Sequence, residues 1–122
     1  MYEVKIDTKF SSAHQLRGYD GTFENLHGHN WGATVIVQAE ALDAIGLGID
    51  FVVLKKKVDA ILSRLDYHNI NEVPPFDKLN PSAENIARWL FDRLNADIKT
   101  ETTRVKRVEI REMEGCGAAY FE

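Results

Sequence analysis

Leu26-His27-Gly28-His29-Asn30-Trp31-Gly32-Ala33-Thr34-Val35-Ile36-Val37-Gln38-Ala39-Glu40 is the stretch on which the fold turns. From Asn30 to Glu40, Trp31, Ala33, Val35, Val37 and Ala39 recur at period two, the repeat of a strand with one face in a core. The opposite parity includes Thr34, Ile36 and Gln38, so partial cover is expected on the second face as well. His27 and His29 stand two apart where this strand begins, and their rings therefore leave on one side.

Upstream, Tyr2, Val4 and Ile6 alternate with Glu3, Lys5 and Asp7, a half-buried strand whose end lies near His14. Arg17 to Leu26 is Gly-rich and polar, a loop. Downstream, Gly46 and Gly48 mark a turn. From Phe51 the period becomes helical, with Phe51, Leu54, Val58, Ile61, Leu62 and Leu65 on one face and Asp50 as N-cap. A proline-containing loop, Val73 to Leu79, leads to Asn80 as a second N-cap, with Pro81 at the first helical position. Ile86, Ala87, Leu90, Leu94 and Ile98 form that helix's apolar stripe. Val108 and Ile110 alternate with Arg107, Glu109 and Arg111 in a third strand, Gly115 and Gly117 bracket a turn, and Ala118 to Phe121 completes a fourth. The order ββααββ predicts an α+β fold, a four-stranded antiparallel sheet with two helices on one face.

Composition sets the limits. The chain has 122 residues, enough for one domain spanning 1–122, with 44% hydrophobic and 28% charged residues. Fifteen basic and nineteen acidic residues give a net charge of -4. The nearest thing to a basic run, Lys55-Lys56-Lys57, falls on the wet face of a helix, so no nucleic-acid partner is expected. No segment approaches the ~20 apolar residues of a bilayer span, so no membrane partner is expected either. A single cysteine, Cys116, forms no internal disulfide and fits a reducing compartment. The first residues are strand-like and lack the basic head and apolar stretch of a signal peptide, which makes the cytoplasm the expected address.

The four histidines repay individual attention. Antiparallel pairing of the first two strands brings His14 alongside His27 and His29. Three imidazoles at one end of a sheet would make a zinc site with an open fourth position, or else they are unrelated turn and core histidines. Glu112 shares the parity of Val108 and Ile110 and leaves its strand on the apolar side, where a carboxylate needs a partner. That partner is an internal arginine, a subunit contact, or a ligand presenting two parallel N–H donors. Glu24, three residues before His27, is a solvated loop acid or a general base beside a metal. Asp66, Tyr67 and His68 end the first helix as charge-dipole partners or as a proton relay. Cys116, between two glycines, reads as structural, and Trp31 and Trp89 read as core.

Together these residues form a recognisable set. Phe10-Ser11-Ser12-Ala13-His14, Leu26-His27-Gly28-His29-Asn30, Ile49-Asp50-Phe51 with Leu54-Lys55, Leu65-Asp66, Asn80-Pro81-Ser82 with Glu84-Asn85, and Glu112 with Ala119-Tyr120 resemble the 6-pyruvoyltetrahydropterin synthase and 6-carboxytetrahydropterin synthase family over nearly the whole chain. The resemblance implies the tunnelling fold, sheets joined into a barrel, and a homohexamer with active sites between subunits. It also implies Zn2+ on His14, His27 and His29, a 7,8-dihydropterin substrate, Glu112 anchoring the pterin's amino-pyrimidine edge, and Ser82 near the pterin.

Two departures are informative. The loop Arg17 to Leu26 has no cysteine where most members carry a catalytic one, and the family's Asp-His pair reads Asp66-Tyr67-His68. Glu24 in place of cysteine resembles the branch that cleaves dihydroneopterin phosphates to 6-hydroxymethyl-7,8-dihydropterin, a folate precursor. That implies a zinc-dependent lyase with Glu24 as base, and with Glu24 itself or Asp66 with Tyr67 or His68 returning a proton. The alternatives are a 6-carboxytetrahydropterin synthase of the deazapurine pathway and a non-catalytic pterin-binding paralogue.

Overall fold

The computed structural model describes residues 1–122. The elements are β1 (Tyr2–His14), β2 (His27–Ala39), α1 (Phe51–Leu62), a 3₁₀ turn (Ile70–Glu72), α2 (Ala83–Ile98), β3 (Thr103–Met113) and β4 (Cys116–Phe121). They form one antiparallel sheet in the order β1-β2-β3-β4. This is the predicted four-stranded sheet with two helices. β2 begins at His27, three residues before the start read from its apolar alternation, because the β1–β2 ladder runs unbroken from Tyr2↔Ala39 to His14↔His27.

The alternation assigns the two faces. Ile6, Phe10, Trp31, Ala33, Val35, Val37, Val105, Val108 and Ile110 are buried on one side, against Leu54, Val58 and Leu62 of α1 and Ile86, Ala87, Leu90, Leu94 and Ile98 of α2. Each large aliphatic side chain there contributes roughly 1.5–3 kcal/mol by leaving water. Trp31 and Trp89 belong to this core, as expected. The other face has no second layer. Thr34, Ile36 and Gln38 are half-buried there among charged cross-strand neighbours such as Asp7, Lys5, Glu109 and Arg107. At Gly32 a Cβ would lie 2.7 Å from Arg111 Nη2, so the missing side chain lets the guanidinium lie across the strand and donate to Thr34 Oγ1 at 2.8 Å.

Three readings of the helices need correction, the first being that α1 ends at Leu62 with Ser63 as its C-cap, so Leu65, though buried, and Asp66, Tyr67 and His68 lie beyond it in turns. Asp50 caps α1 as expected, accepting from the Val52 N–H at 2.7 Å. Phe51, however, is 61% exposed, and Val52 and Val53 are exposed with it. A helical stripe is buried only where something lies opposite, and residues 51–53 stand clear of the core, which α1 enters at Leu54. At α2 the cap is Ser82, not Asn80: the Ser82 hydroxyl accepts from the Asn85 N–H at 3.1 Å, and Pro81 lies outside the helix. The Asn80 side chain is engaged elsewhere, with both polar ends on the backbone of Arg17.

Candidate metal centre

The end of the β1–β2 ladder builds the site. His14 closes β1, His27 stands opposite it, and His29 stands opposite Ser12. All three rings turn to the core side of the sheet, and one ligand atom from each lies within 4.8 Å of the others. The rings meet edge-on, with centroids 4.8 Å apart for His14–His27, 5.5 Å for His14–His29 and 4.7 Å for His27–His29. Trp31 forms the wall beneath, its ring centroid 4.7 Å from His14 and 5.4 Å from His29, with its indole N–H donated to the Ser12 carbonyl at 3.1 Å.

Backbone carbonyls orient two of the rings. His14 Nδ1 lies 2.8 Å from the Pro81 carbonyl, and His27 Nδ1 lies 2.7 Å from the Asn25 carbonyl. A carbonyl only accepts, so each Nδ1 carries the hydrogen and each Nε2 keeps its lone pair free for a metal. The Nε2 atoms of His14 and His29 are buried without a hydrogen-bond partner. Native interiors rarely orphan a polar atom, and two together that converge on a third imidazole fit a bound metal ion. Burial, joined by the neighbouring His27 and His14, holds His29 below the usual histidine range against the opposing pull of Glu112 and Glu24. The neutral ring is the form that binds metal.

Glu112 completes the inner wall. Its Oε1 lies 3.7 Å from His14 Nε2 and its Oε2 3.7 Å from His29 Nε2, beyond hydrogen-bond reach of either, and no arginine of this chain pairs with it. Glu112 also borders a cavity of about 190 Å³ shared with Ala83, Glu84, Cys116, Gly117 and Ala118. Cys116 is exposed at the start of β4, which corrects its reading as a structural residue; a sheet-end turn leaves it no core to enter. Ser82 precedes this cavity's Ala83 and spends its oxygen lone pair on the α2 cap, keeping its own hydrogen to donate.

Glu24 reaches the triad from the loop. Its Oε1 lies 3.9 Å from His27 Nδ1. Its N–H donates to the Leu16 carbonyl at 2.9 Å, its carbonyl accepts from Gln15 Nε2 at 3.1 Å, and the Leu16 N–H points at its Oε1 from 3.4 Å.

Asp66, Tyr67 and His68 are not brought to this cluster within the chain. They lie along the free edge of β1: Asp66 Oδ1 accepts from the Ser11 N–H at 2.8 Å, the Tyr67 N–H donates to the Ser11 carbonyl at 2.6 Å, and the His68 carbonyl accepts from the Ala13 N–H at 3.0 Å. Tyr67 has a left-handed φ of 57° and is 85% exposed. His68 Nδ1 meets the backbone oxygen of Asp66, at 2.7 Å, and not its carboxylate. The Pro81 and Asn25 carbonyls were not foreseen as partners of the histidines, because a backbone acceptor leaves no signal in residue type.

One end of an antiparallel sheet backed by two helices thus carries three imidazoles and two carboxylates. Residues 3–122 match the family model described as 6-pyruvoyl tetrahydropterin synthase, and the chain belongs to that family. Among its relatives is the dihydroneopterin monophosphate aldolase of Pyrococcus furiosus, 33% identical over 103 residues that cover 84% of this chain and 82% of that protein. The 6-carboxy-5,6,7,8-tetrahydropterin synthase of Synechocystis is 29% identical over 126 residues, covering 99% of this chain and 94% of that one. The solved 6-pyruvoyl tetrahydropterin synthase of Caenorhabditis elegans has the same tunnelling fold, with a TM-score of 0.86 at 23% identity over 99% of this chain and 95% of that chain. No helix is long and apolar enough to cross a membrane.

Proposed function

We propose that this chain is a zinc-dependent lyase that cleaves the side chain of a 7,8-dihydroneopterin phosphate to 6-hydroxymethyl-7,8-dihydropterin, in the service of folate synthesis. One observation carries the reading: a glutamate, Glu24, stands beside the histidine triad in a loop without cysteine. The 33% identity to a dihydroneopterin monophosphate aldolase supports it.

His14, His27 and His29 would hold the ion through their free nitrogens. When bound there, zinc supplies a Lewis acid that lowers the pKa of the substrate's side-chain hydroxyls. Glu112 holds the pterin's amino-pyrimidine edge, its two oxygens accepting two parallel N–H bonds. Ser82 stands near the ring. Glu24 removes the 2′-hydroxyl proton. The C1′–C2′ bond then breaks, C2′ leaves as the aldehyde carbon of a phosphorylated glycolaldehyde, and the electron pair passes into the N5=C6 imine. A proton returns to C1′ from Glu24, or from the Asp66, Tyr67 and His68 group of a neighbouring copy. That last source is supported by the position of these residues at a free strand edge, away from their own triad. It suits a homohexamer with sites between subunits. The cytoplasm is the compartment in which the exposed Cys116 stays a thiol.

The second reading, a 6-carboxytetrahydropterin synthase, is favoured by the Synechocystis relative, whose match spans almost the whole chain. Glu24→Gln decides the role of the glutamate. The lyase reading expects a loss of about 10²–10⁴ in kcat, the usual worth of a general base, with zinc content unchanged. Full activity in that variant would refute it.

A further inference from the structure

Past His14 the chain leaves the β1–β2 ladder, yet its backbone stays paired. The Gln15 N–H donates to Asn71 Oδ1 at 2.8 Å, and the Gln15 carbonyl accepts from Asn71 Nδ2 at 2.8 Å. Two residues on, the Arg17 N–H donates to Asn80 Oδ1 at 2.9 Å and its carbonyl accepts from Asn80 Nδ2 at 2.9 Å. A side-chain amide carries one acceptor and two donors, so each asparagine imitates the backbone of an antiparallel neighbour. Residues 15 and 17 therefore face the asparagines, and Leu16, turned the other way, offers both its backbone groups to Glu24.

Each asparagine is itself held. Asn71 sits in the 3₁₀ turn capped by Asn69, whose Oδ1 accepts the Asn71 N–H at 3.1 Å. The Asn80 carbonyl accepts from Asn85 Nδ2 at 2.9 Å, and the next carbonyl, that of Pro81, orients His14. Arg17 closes the far side, with Nη2 2.7 Å from the Phe76 carbonyl and 3.3 Å from that of Asn71.

We infer that Asn71 and Asn80 are positioning residues: together they clip the chain at residues 15 and 17, and through Leu16 they fix the Glu24 carboxylate against the histidine triad. The inference rests on the reading of Glu24 as base for its effect on rate, but not for its effect on structure. Asn80 has a second task, since it also anchors the peptide that orients His14. Asn71 touches neither a histidine nor Glu24, and so it isolates the clip.

The experiment is a cycle with Asn71→Ala, Glu24→Gln and the double variant, read by steady-state kinetics on 7,8-dihydroneopterin monophosphate, zinc content and amide hydrogen exchange. Asn71→Ala is expected to lower kcat on the order of 10–100-fold, the scale of a small misplacement of a reacting group, with KM little changed. Zinc content stays at the wild-type value. The Leu16 and Glu24 amides exchange faster while those of β2 do not. In the Glu24→Gln background Asn71→Ala causes no further loss. Asn71→Asp keeps the bond from the Gln15 N–H, loses the one to its carbonyl, and falls between; it serves if the alanine variant does not fold. Asn95→Ala, which removes the comparable bond that Asn95 Oδ1 accepts from the Val105 N–H away from the site, lowers stability without lowering kcat. Unchanged exchange at Leu16 and Glu24 would overturn the clip, as would an equal loss of rate with and without Glu24. If Glu24→Gln alone kept full activity, the base would fall and the exchange data would still decide the clip.

Discussion

Trp31→Phe tests whether the wall beneath the histidines is energetically coupled to the core. Trp31 is fully buried, stacks on Phe10 at 5.6 Å, and donates its indole N–H to the Ser12 carbonyl at 3.1 Å. Phenylalanine keeps a ring but removes about 40 Å³, which at about 24 cal/mol per Å³ of residual cavity costs about 1 kcal/mol. The lost indole bond adds about 0.5–1.5 kcal/mol, a net value and not an orphan's penalty, because Ser12 keeps its place in the β1–β2 ladder opposite His29. The sum is about 1.5–2.5 kcal/mol, or a fall in Tm on the order of 10 °C for a domain of this size. The assay is urea unfolding of the metal-free protein at fixed protein concentration, with zinc affinity measured by competition. Because the same indole packs against His14 and His29, zinc affinity falls with stability, on the order of the 10–100-fold seen for outer partners of metal ligands. A loss of stability below about 0.5 kcal/mol, the level of a neutral surface change, would refute the assignment of Trp31 as the site's support.

Other perturbations probe the remaining residues one at a time. His29 is held below its ordinary value of 6.5, so the unfolded chain binds more protons than the folded one below that pH. The stability it contributes is complete above pH 6.5 and declines as pH falls through its folded pKa; urea titrations of the metal-free protein at stepped pH should show this contribution falling below pH 6.5 and not above it. Asp50→Ala removes the cap of α1 and should lower stability by about 1 kcal/mol in denaturant titrations while leaving kcat unchanged. Tyr67→Phe should leave folding intact, because the ring is exposed, and should lower kcat if the hydroxyl returns the proton to C1′. An unchanged kcat would pass that role to Glu24 or to His68.

The sheet and the histidine triad were legible because period-two alternation carries both the face of each side chain and, through antiparallel pairing, its cross-strand partner. That His14 comes alongside His27 and His29 follows from those two facts; the register that sets it opposite His27 does not. The parity of Glu112 was legible for the same reason. The cap of α2 was not: Asn80 and Ser82 are both competent caps, and only the tertiary demand of the Arg17 backbone for Asn80 decides between them. The exposure of Phe51 depends on where the core ends, which a helical wheel does not record. Asn71 carries no local pattern at all, since its role exists only once the 3₁₀ turn lies beside Gln15. Asp66, Tyr67 and His68 were legible as a motif but not as a location, because their pairing with Ser11 and Ala13 joins distant parts of the chain.

The proposed reaction stands or falls on the identity of its product. Zinc-loaded protein should be incubated with 7,8-dihydroneopterin monophosphate and, separately, with the triphosphate, and the pterin product identified by mass. The expected products are 6-hydroxymethyl-7,8-dihydropterin and a phosphorylated glycolaldehyde from at least one ester. A 6-carboxy or 6-pyruvoyl product, or unchanged substrate from both esters, would contradict it.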